Sequence, residues 1–144
     1  MIKKLILTAL ALLALSGNCF AAGEEKLLDK YQRVCYKMID IFDGGTVPAY
    51  STLVPYFSDA LKAKFDSAQY DELVKAIMSR YGVASGIRFA LFERLDGVDR
   101  VAYFANFPKD PDPVLVAFNF LPDGKMDALI LSSKNQQPQN QQRK

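Results

Sequence analysis

Apolar residues spaced three and four positions apart dominate the chain between residues 24 and 42. They form one stripe, which consists of Leu27, Leu28, Tyr31, Val34, Cys35, Met38, Ile39 and Phe42. Charged residues fill most of the remaining positions, which is the pattern of a helix that buries one face. We therefore predict one long amphipathic helix over residues 24–42. It should end at Asp43-Gly44-Gly45, because glycine accepts the left-handed backbone conformation that closes helices.

Two further helices are predicted before Gly82. Residues 50–64 keep a helical spacing of apolar side chains, and this helix should begin around Pro55 or Ser58, which both suit a helix start. Asp66-Ser67-Ala68-Gln69 is a second start signal, since the aspartate can accept from the amide of the glutamine while the glutamine side chain reaches back. This capping box predicts a helix that runs until Gly82.

After Gly82 the apolar residues alternate with a period of two, and Val, Ile, Phe and Tyr become common, as in strands. Strands are predicted at residues 87–95, 98–107, 114–121 and 126–132, separated by Asp96-Gly97, the proline-rich loop 108–113 and the turn Pro122-Asp123-Gly124-Lys125. Both faces of the third strand are largely apolar, which indicates a central position. We predict an α+β fold, with N-terminal helices packed on a curved four-stranded antiparallel sheet.

The first 21 residues follow a different pattern. Two lysines precede an apolar run over residues 5–15, and small and polar residues continue to Ala21. A run of this length is typical of a cleaved signal peptide and is too short to span a membrane. A lipoprotein signal is the alternative, but Asn18 stands before Cys19, where a small residue is expected. We predict cleavage after Ala21 and export to the periplasm or beyond the cell.

These patterns divide the chain into three parts. We predict a cleaved signal peptide at residues 1–21, a single α+β domain at 22–132, and a disordered tail at 133–144. The tail is rich in Gln and Asn and offers almost nothing to bury. About 120 residues after cleavage are enough to bury one core.

Removal of the signal changes the charge of the protein. Two lysines leave with it, so the 18 Lys and Arg residues fall to 16 and balance the 16 Asp and Glu residues. No clustered basic run remains in the sequence, which predicts no nucleic-acid partner. Cys35 is then the one remaining cysteine in an oxidising compartment, and we expect it to serve as buried packing.

The order of elements resembles the nuclear-transport-factor-2-like superfamily, and within it a family of small exported bacterial domains of unknown function. The resemblance is carried by the glycine turn after the first helix, the stretch Leu53-Val54-Pro55-Tyr56-Phe57-Ser58-Asp59-Ala60-Leu61-Lys62, the helix end Tyr81-Gly82, and the late turn Pro122-Asp123-Gly124-Lys125-Met126. It implies a cone whose concave sheet and helices enclose a pocket. Members include isomerases, dehydratases and subunit-interaction modules, so the fold alone does not decide the function.

Catalytic chemistry has few candidates, because the chain contains no histidine. Isomerase-like members of the resembled superfamily use an acidic residue with a tyrosine, and the candidates are Asp40 and Asp127 with Tyr31, Tyr36, Tyr50 and Tyr103. Each is more simply explained as a solvated carboxylate or a core aromatic, so we assign no catalytic residue, no metal ligand and no cofactor. An isomerase or lyase using such a pair remains the alternative, and an inhibitor or immunity protein is the second.

The favoured interpretation is an exported, non-enzymatic binding or protein-interaction module. Its site is predicted in an apolar pocket or sheet face lined by aromatic side chains. The predicted ligand-binding residues are Tyr31, Phe89, Tyr103, Phe118 and Arg88. The expected partner is a small apolar ligand or another protein, and a homodimer through the open sheet face is left as an option that the resemblance implies.

Three arginines of the first hairpin form a candidate anion site. Arg88 and Arg94 are expected to share a strand face, with Arg100 on the partner strand. The competing interpretation is ordinary cross-strand pairing, in which Glu93 and Asp99 neutralise the arginines.

Intact mass spectrometry of the protein recovered from the exported fraction tests the predicted boundaries. We expect the mass of residues 22–144, because the peptidase should cut after Ala21. A diacylglyceryl mass on Cys19 would contradict the prediction of a soluble exported chain.

Overall fold

A computed structural model describes residues 22–133 of the 144-residue chain. The predicted signal peptide at 1–21 and all but the first residue of the predicted tail at 133–144 lie outside the described residues. The helices are α1 (Ala22–Ile39), α2 (Tyr50–Leu53), a 3-10 helix (Val54–Tyr56), α3 (Asp59–Lys64) and α4 (Ser67–Arg80). The strands are β1 (Gly86–Leu95), β2 (Val98–Asn106), β3 (Val114–Phe120) and β4 (Met126–Ser132). The α+β prediction is confirmed, and each predicted strand agrees to within one residue.

The first helix ends three residues earlier than predicted. After Ile39 the chain tightens into shorter turns, in which Ile41 N–H donates to the Met38 carbonyl at 3.1 Å and Phe42 N–H to the Ile39 carbonyl at 2.8 Å. Such tightening is common at helix ends. Ile41 and Phe42 stay buried, so the apolar stripe continues past the last α-helical residue.

Residues 50–64 form three short elements instead of one helix. Pro55 lies in the first turn of the 3-10 helix, and Phe57 is extended with ψ of 147°. Ser58 then caps α3 by accepting the N–H of Leu61 at 3.0 Å. Proline lacks the N–H that a continuous α-helix needs, which explains the break. The capping box of α4 is confirmed, since Asp66 and Gln69 exchange side chain-to-backbone bonds.

The four strands form one antiparallel sheet in the order β1-β2-β3-β4. The predicted central position of the third strand is confirmed, because β2 and β4 flank it. Alternate residues of β2 and β3 face α1 and join the core, namely Val101, Tyr103, Ala105, Val114, Val116, Phe118 and Phe120. The helices therefore cover one face of the sheet, and we call the opposite side the outer face.

A register shift between Phe89 and Leu91 changes the geometry of β1. Arg88 is paired with Phe104, whereas Arg94 is paired with Asp99, and these two partners lie on opposite faces of β2. The prediction that Arg88 and Arg94 share a strand face was therefore wrong. One extra residue in a strand inverts the alternation beyond it, and the sequence carried no signal for it.

The long helix is fixed to the sheet through Tyr31. Its ring stacks on Phe120 with a centroid separation of 4.3 Å. Its hydroxyl donates to Asp99 Oδ2 at 2.8 Å. Cys35 and Met38 continue the buried stripe, and Cys35 has no exposed surface, which confirms its predicted role in packing.

The short helices are held together by aromatic contacts. Tyr50, Phe57, Phe65 and Tyr70 form a cluster with centroid separations between 5.9 and 6.4 Å. The hydroxyls of Tyr50 and Tyr70 donate to backbone carbonyls of Phe65 and Pro48, both at 2.6 Å. Each hydroxyl therefore anchors a connecting segment that has few backbone bonds of its own.

Replacement of Gly44 by alanine tests the turn after α1. Gly44 has φ of +78°, and a Cβ there would lie 2.8 Å from Val83 Cγ1. Gly82 is the matched control, because it also follows a helix with φ of +74° but would point its Cβ into open space. We expect Gly82→Ala to lower the free energy of unfolding by about 1–2 kcal/mol and Gly44→Ala to lower it further. If chemical denaturation shows that both variants lose the same free energy of unfolding, the expected clash with Val83 is contradicted.

Candidate functional site

Two recesses lined by residues of α1 are candidate binding sites. The first, here called the aromatic cleft, lies between the end of α1 and the start of β1. It encloses about 430 Å³ and is lined by Tyr36, Ile39, Asp43, Ala84, Ser85, Gly86, Ile87, Phe89 and Tyr103. A backbone bond from Ala84 N–H to the Phe42 carbonyl, 2.8 Å long, holds its two walls at a fixed distance.

Two large side chains stand exposed at the aromatic cleft. Tyr36 has 54% and Phe89 has 42% of its surface exposed to solvent. Each packs on Tyr103, with ring centroids 6.2 and 5.9 Å away. Exposed aromatics that converge on one recess are typical of binding sites, because their burial by a ligand is favourable.

The hydroxyl of Tyr103 is buried and finds no hydrogen-bond partner among residues 22–133. Cys35, Tyr36 and Gln32 from α1 lie nearby without completing a bond of good geometry. Burial raises the pKa of Tyr103 above its ordinary value. The group is therefore a neutral hydroxyl that lacks a hydrogen bond of good geometry, and buried polar groups of this kind are rare in folded proteins.

The second recess, here called the basic groove, lies on the other side of α1. It encloses about 800 Å³ between α1, the 3-10 helix and the β3–β4 turn. Its lining residues are Lys30, Arg33, Val34, Tyr36, Lys37, Asp40, Tyr56, Asp123, Gly124 and Lys125. Tyr36 therefore stands between the two recesses and contributes to both.

The predicted ligand-binding residues fall into three places. Phe89 and Tyr103 meet in the aromatic cleft. Phe118 is fully buried in the core, and its ring contacts that of Tyr103 at a centroid separation of 6.2 Å. Tyr31 belongs to the core and borders a smaller recess of about 170 Å³. Arg88 lies on the outer face, with its guanidinium carbon 4.7 Å from the centroid of Phe104.

The candidate acids are positioned by structural contacts. Asp127 Oδ1 accepts the Ser58 hydroxyl at 2.6 Å, which ties α3 to β4. Asp40 borders the basic groove and is exposed. The Tyr50 hydroxyl is committed to the Phe65 carbonyl. Neither acid is therefore held against one of the candidate tyrosine hydroxyls by a hydrogen bond.

Sequence reasoning missed the acid and tyrosine that do meet. Tyr31 donates to Asp99 Oδ2 at 2.8 Å, and Arg94 Nε donates to Asp99 Oδ1 at 3.2 Å. Burial, followed by the bond to Asp99, raises the pKa of Tyr31 to about 12. Both carboxylate oxygens are thus occupied by donors, so Asp99 is not a free base. The sequence shows both residue types, but it does not indicate that two residues 68 positions apart are in contact.

The remaining hairpin arginines are paired with acids. Arg94 pairs with Asp99, and Arg100 Nη1 lies 3.7 Å from Glu93 Oε2. Arg100 Nε also donates to Asn119 Oδ1 at 3.0 Å. Cross-strand pairing therefore accounts for these charges. The arginines do not converge on a shared anion site.

The outer face carries apolar side chains beside these charged pairs. Phe104 lies opposite Leu115 in the sheet register, and Ala117 lies opposite Ile130, which is 38% exposed. Ala102 and Ala117 are paired and buried between their larger neighbours. This is the open sheet surface to which the homodimer option refers.

Neither a membrane span nor a metal centre is found in the part of the chain that the structure describes. Among the helices of residues 22–133, none has the length and apolar character needed to cross a bilayer. In the same range no three histidine, cysteine, aspartate or glutamate side chains are grouped as metal ligands. Burial raises the pKa of Cys35, which is opposite to the shift of a reactive thiol.

Comparison of the chain with protein families, curated proteins and solved structures found no match. The class that the fold defines is an α+β domain, with helices on one face of a four-stranded antiparallel meander.

A pair of tyrosine variants tests the different states of the two buried hydroxyls. Tyr31→Phe removes a bond to a charged group, so we expect the free energy of unfolding to fall by about 1.5–3 kcal/mol. Tyr103→Phe removes a donor without a partner, so we expect stability equal to or above the wild type. A large loss in Tyr103→Phe on chemical denaturation would contradict the unpartnered state.

The raised pKa of Tyr31 predicts a loss of stability at alkaline pH. The hydroxyl ionises near 10.0 in the unfolded chain and at about 12 in the folded one. Its contribution is fully present below pH 10 and is lost as the pH rises toward 12. We expect the unfolding free energy of Tyr31→Phe to fall less steeply over this range than that of the wild type. The same pH dependence of the unfolding free energy in both proteins would contradict the raised pKa of Tyr31.

Proposed function

We propose that the protein is an exported binding module that takes a small, mainly apolar ligand into the aromatic cleft. The observation that carries this proposal is the unpartnered Tyr103 hydroxyl between the exposed rings of Tyr36 and Phe89. A ligand with a hydrogen-bond acceptor would satisfy the Tyr103 hydroxyl, and its apolar body would cover the two exposed rings.

The energetics of the hydroxyl support this proposal. An unsatisfied buried donor costs roughly 1–3 kcal/mol, and a phenylalanine of nearly the same shape avoids the cost. A tyrosine hydroxyl is protonated at neutral pH, and burial raises the pKa of Tyr103 further. The hydroxyl can therefore donate to a ligand acceptor such as a carbonyl oxygen. A volume of about 430 Å³ accommodates a small organic molecule.

Access to the hydroxyl depends on Tyr36. Its side chain lies beside the Tyr103 hydroxyl, and more than half of its surface faces solvent. Exposed side chains change rotamer within nanoseconds. We infer that Tyr36 turns aside when the ligand enters and then packs on the ligand's apolar body.

The resembled superfamily supplies the setting for this proposal. The helices lie on one face of the sheet, and β1 and the β3–β4 pair carry register shifts. Irregularities of this type generally bend strands, and a cone needs bent strands, which supports the proposal. Membership in the nuclear-transport-factor-2-like superfamily, the curved cone, export and a homodimer through the outer face all remain proposals. They rest on the order of elements, on residues 1–21 and on the apolar outer face.

Two probes of one shape test the proposed hydrogen bond. Acetophenone carries a carbonyl acceptor, and ethylbenzene lacks it. We expect the wild type to bind acetophenone about fivefold more tightly, as one net hydrogen bond predicts. Tyr103→Phe should abolish this preference while leaving ethylbenzene binding unchanged. The measurement is an NMR titration that follows backbone amides of residues 84–89.

Phe89→Ala and Leu95→Ala provide the matched comparison for the apolar wall. Both residues lie on β1 and are similarly exposed, at 42% and 44%, but Leu95 lies outside the aromatic cleft. We expect Phe89→Ala to weaken both probes and Leu95→Ala to weaken neither. Equal effects of the two variants, or a preference for acetophenone that survives in Tyr103→Phe, would overturn the proposal.

A further inference from the structure

The basic groove concentrates positive charge that the linear sequence disperses. Lys30, Arg33 and Lys37 lie three and four positions apart on one side of α1, and Lys125 faces them from the β3–β4 turn. None of these four side chains forms an ion pair with a carboxylate of residues 22–133. The protein is neutral after the predicted cleavage, so this local excess is not a property of the whole surface.

Two carboxylates line the groove, and both face other groups. Asp123 Oδ1 accepts the backbone N–H of Lys125 at 2.9 Å, which stabilises the turn. Asp40 Oδ1 lies 3.9 Å from the position of a Cβ on Gly45, so it is near the glycine turn that follows α1. Four positive charges therefore stand against two negative charges that do not pair with them.

Three of the cations are held at the groove by specific contacts. Lys125 Nζ donates to the Pro55 carbonyl at 2.7 Å. Lys37 Nζ lies 5.7 Å from the ring centroid of Tyr56. Lys30 Nζ rests over Gly124, where a Cβ would come within 2.5 Å of it. These contacts keep like charges close together and leave further N–H donors on each ammonium group.

The floor of the groove is apolar. Val34 is buried at its base, and the rings of Tyr36 and Tyr56 form its sides. A recess of about 800 Å³ lies within the size range of small-molecule sites. Cations above an apolar floor are complementary to a molecule with an anionic end and an apolar or aromatic body.

We propose that the basic groove binds a small organic anion, whose phosphate or carboxylate group contacts Arg33, Lys37 and Lys125 and whose apolar body lies against Tyr36 and Tyr56. The planar guanidinium of Arg33 matches either oxyanion with two parallel bonds. The groove shares only Tyr36 with the aromatic cleft. Its test changes Arg33, which lines the groove and not the cleft, so either proposal can fail alone.

Three probes with one ring and different charge test the groove. Benzyl alcohol is neutral, benzoate carries one negative charge, and phenyl phosphate carries up to two. We expect benzyl alcohol to bind most weakly, and NMR shifts for the two anions to appear at amides of residues 30–37 and 123–125. Raising the salt concentration should weaken the anions and not the alcohol, because salt screens charge. Tighter binding of phenyl phosphate than of benzoate would favour a phosphate ligand, and tighter binding of benzoate, despite its lower charge, would favour a carboxylate.

Charge variants locate the site. Arg33→Gln should weaken both anions by about tenfold, the loss expected for a charge-assisted hydrogen bond. Arg33→Lys should retain part of the binding, since it keeps the charge and loses the fork. Lys75→Ala is the matched control, because Lys75 is an exposed cation on α4 outside the groove. Arg33 is exposed, so circular dichroism should show the wild-type fold in each variant.

Several results would overturn the proposal. Equal affinity for benzyl alcohol and phenyl phosphate, measured at the amides of residues 123–125, would remove the role of charge. Wild-type anion binding by Arg33→Gln, or an equal loss in Lys75→Ala, would remove the role of the groove. Absence of anion binding at millimolar probe concentration would reject the site altogether.

Discussion

The contact between Tyr31 and Asp99 determines where α1 lies on the sheet. The hydroxyl of Tyr31 donates to a carboxylate at the start of β2, while its ring stacks on Phe120 of β3, so one residue joins the helix to both interior strands. Arg94 supplies the second donor, which satisfies the charge of a nearly buried Asp99. A hydrogen-bonded charge of this kind is directional, unlike apolar burial, and it therefore selects one placement of the helix among many that would bury the same stripe.

Both recesses follow from that placement. The buried stripe of α1 packs on the sheet, the side that carries Arg33 and Lys37 borders the basic groove, and Tyr36 stands on the edge shared with the aromatic cleft. One helix thus combines a structural face with two potential binding faces. The two buried tyrosines differ in the same way, because Tyr31 has a well-formed hydrogen bond to Asp99, whereas Tyr103 lacks one of good geometry among the described residues. Binding sites often retain such unsatisfied groups at a cost to stability.

The sequence predicted the elements well because strand periodicity, glycine turns and capping boxes are local signals. It missed the break at Pro55 and the opposite faces of Arg88 and Arg94, since a register shift of one residue leaves no compositional trace. Phe89 and Tyr103 were both named as candidate binding residues, and the sheet register pairs them across β1 and β2. The basic groove was not, although the helical spacing of its α1 cations was visible. Lys125 reaches them only after β4 has paired with β3, which is a tertiary event.

Hydrogen–deuterium exchange of α1 tests the central claim that this helix is fixed to the sheet and shapes both recesses. If it is, the amides of residues 31–39 open only with the whole domain, and their protection should match that of β2 and β3. Exchange of these amides by orders of magnitude faster than β2 and β3 would contradict the account. The helix would then be separable from the sheet, and neither recess would be a stable feature of the protein.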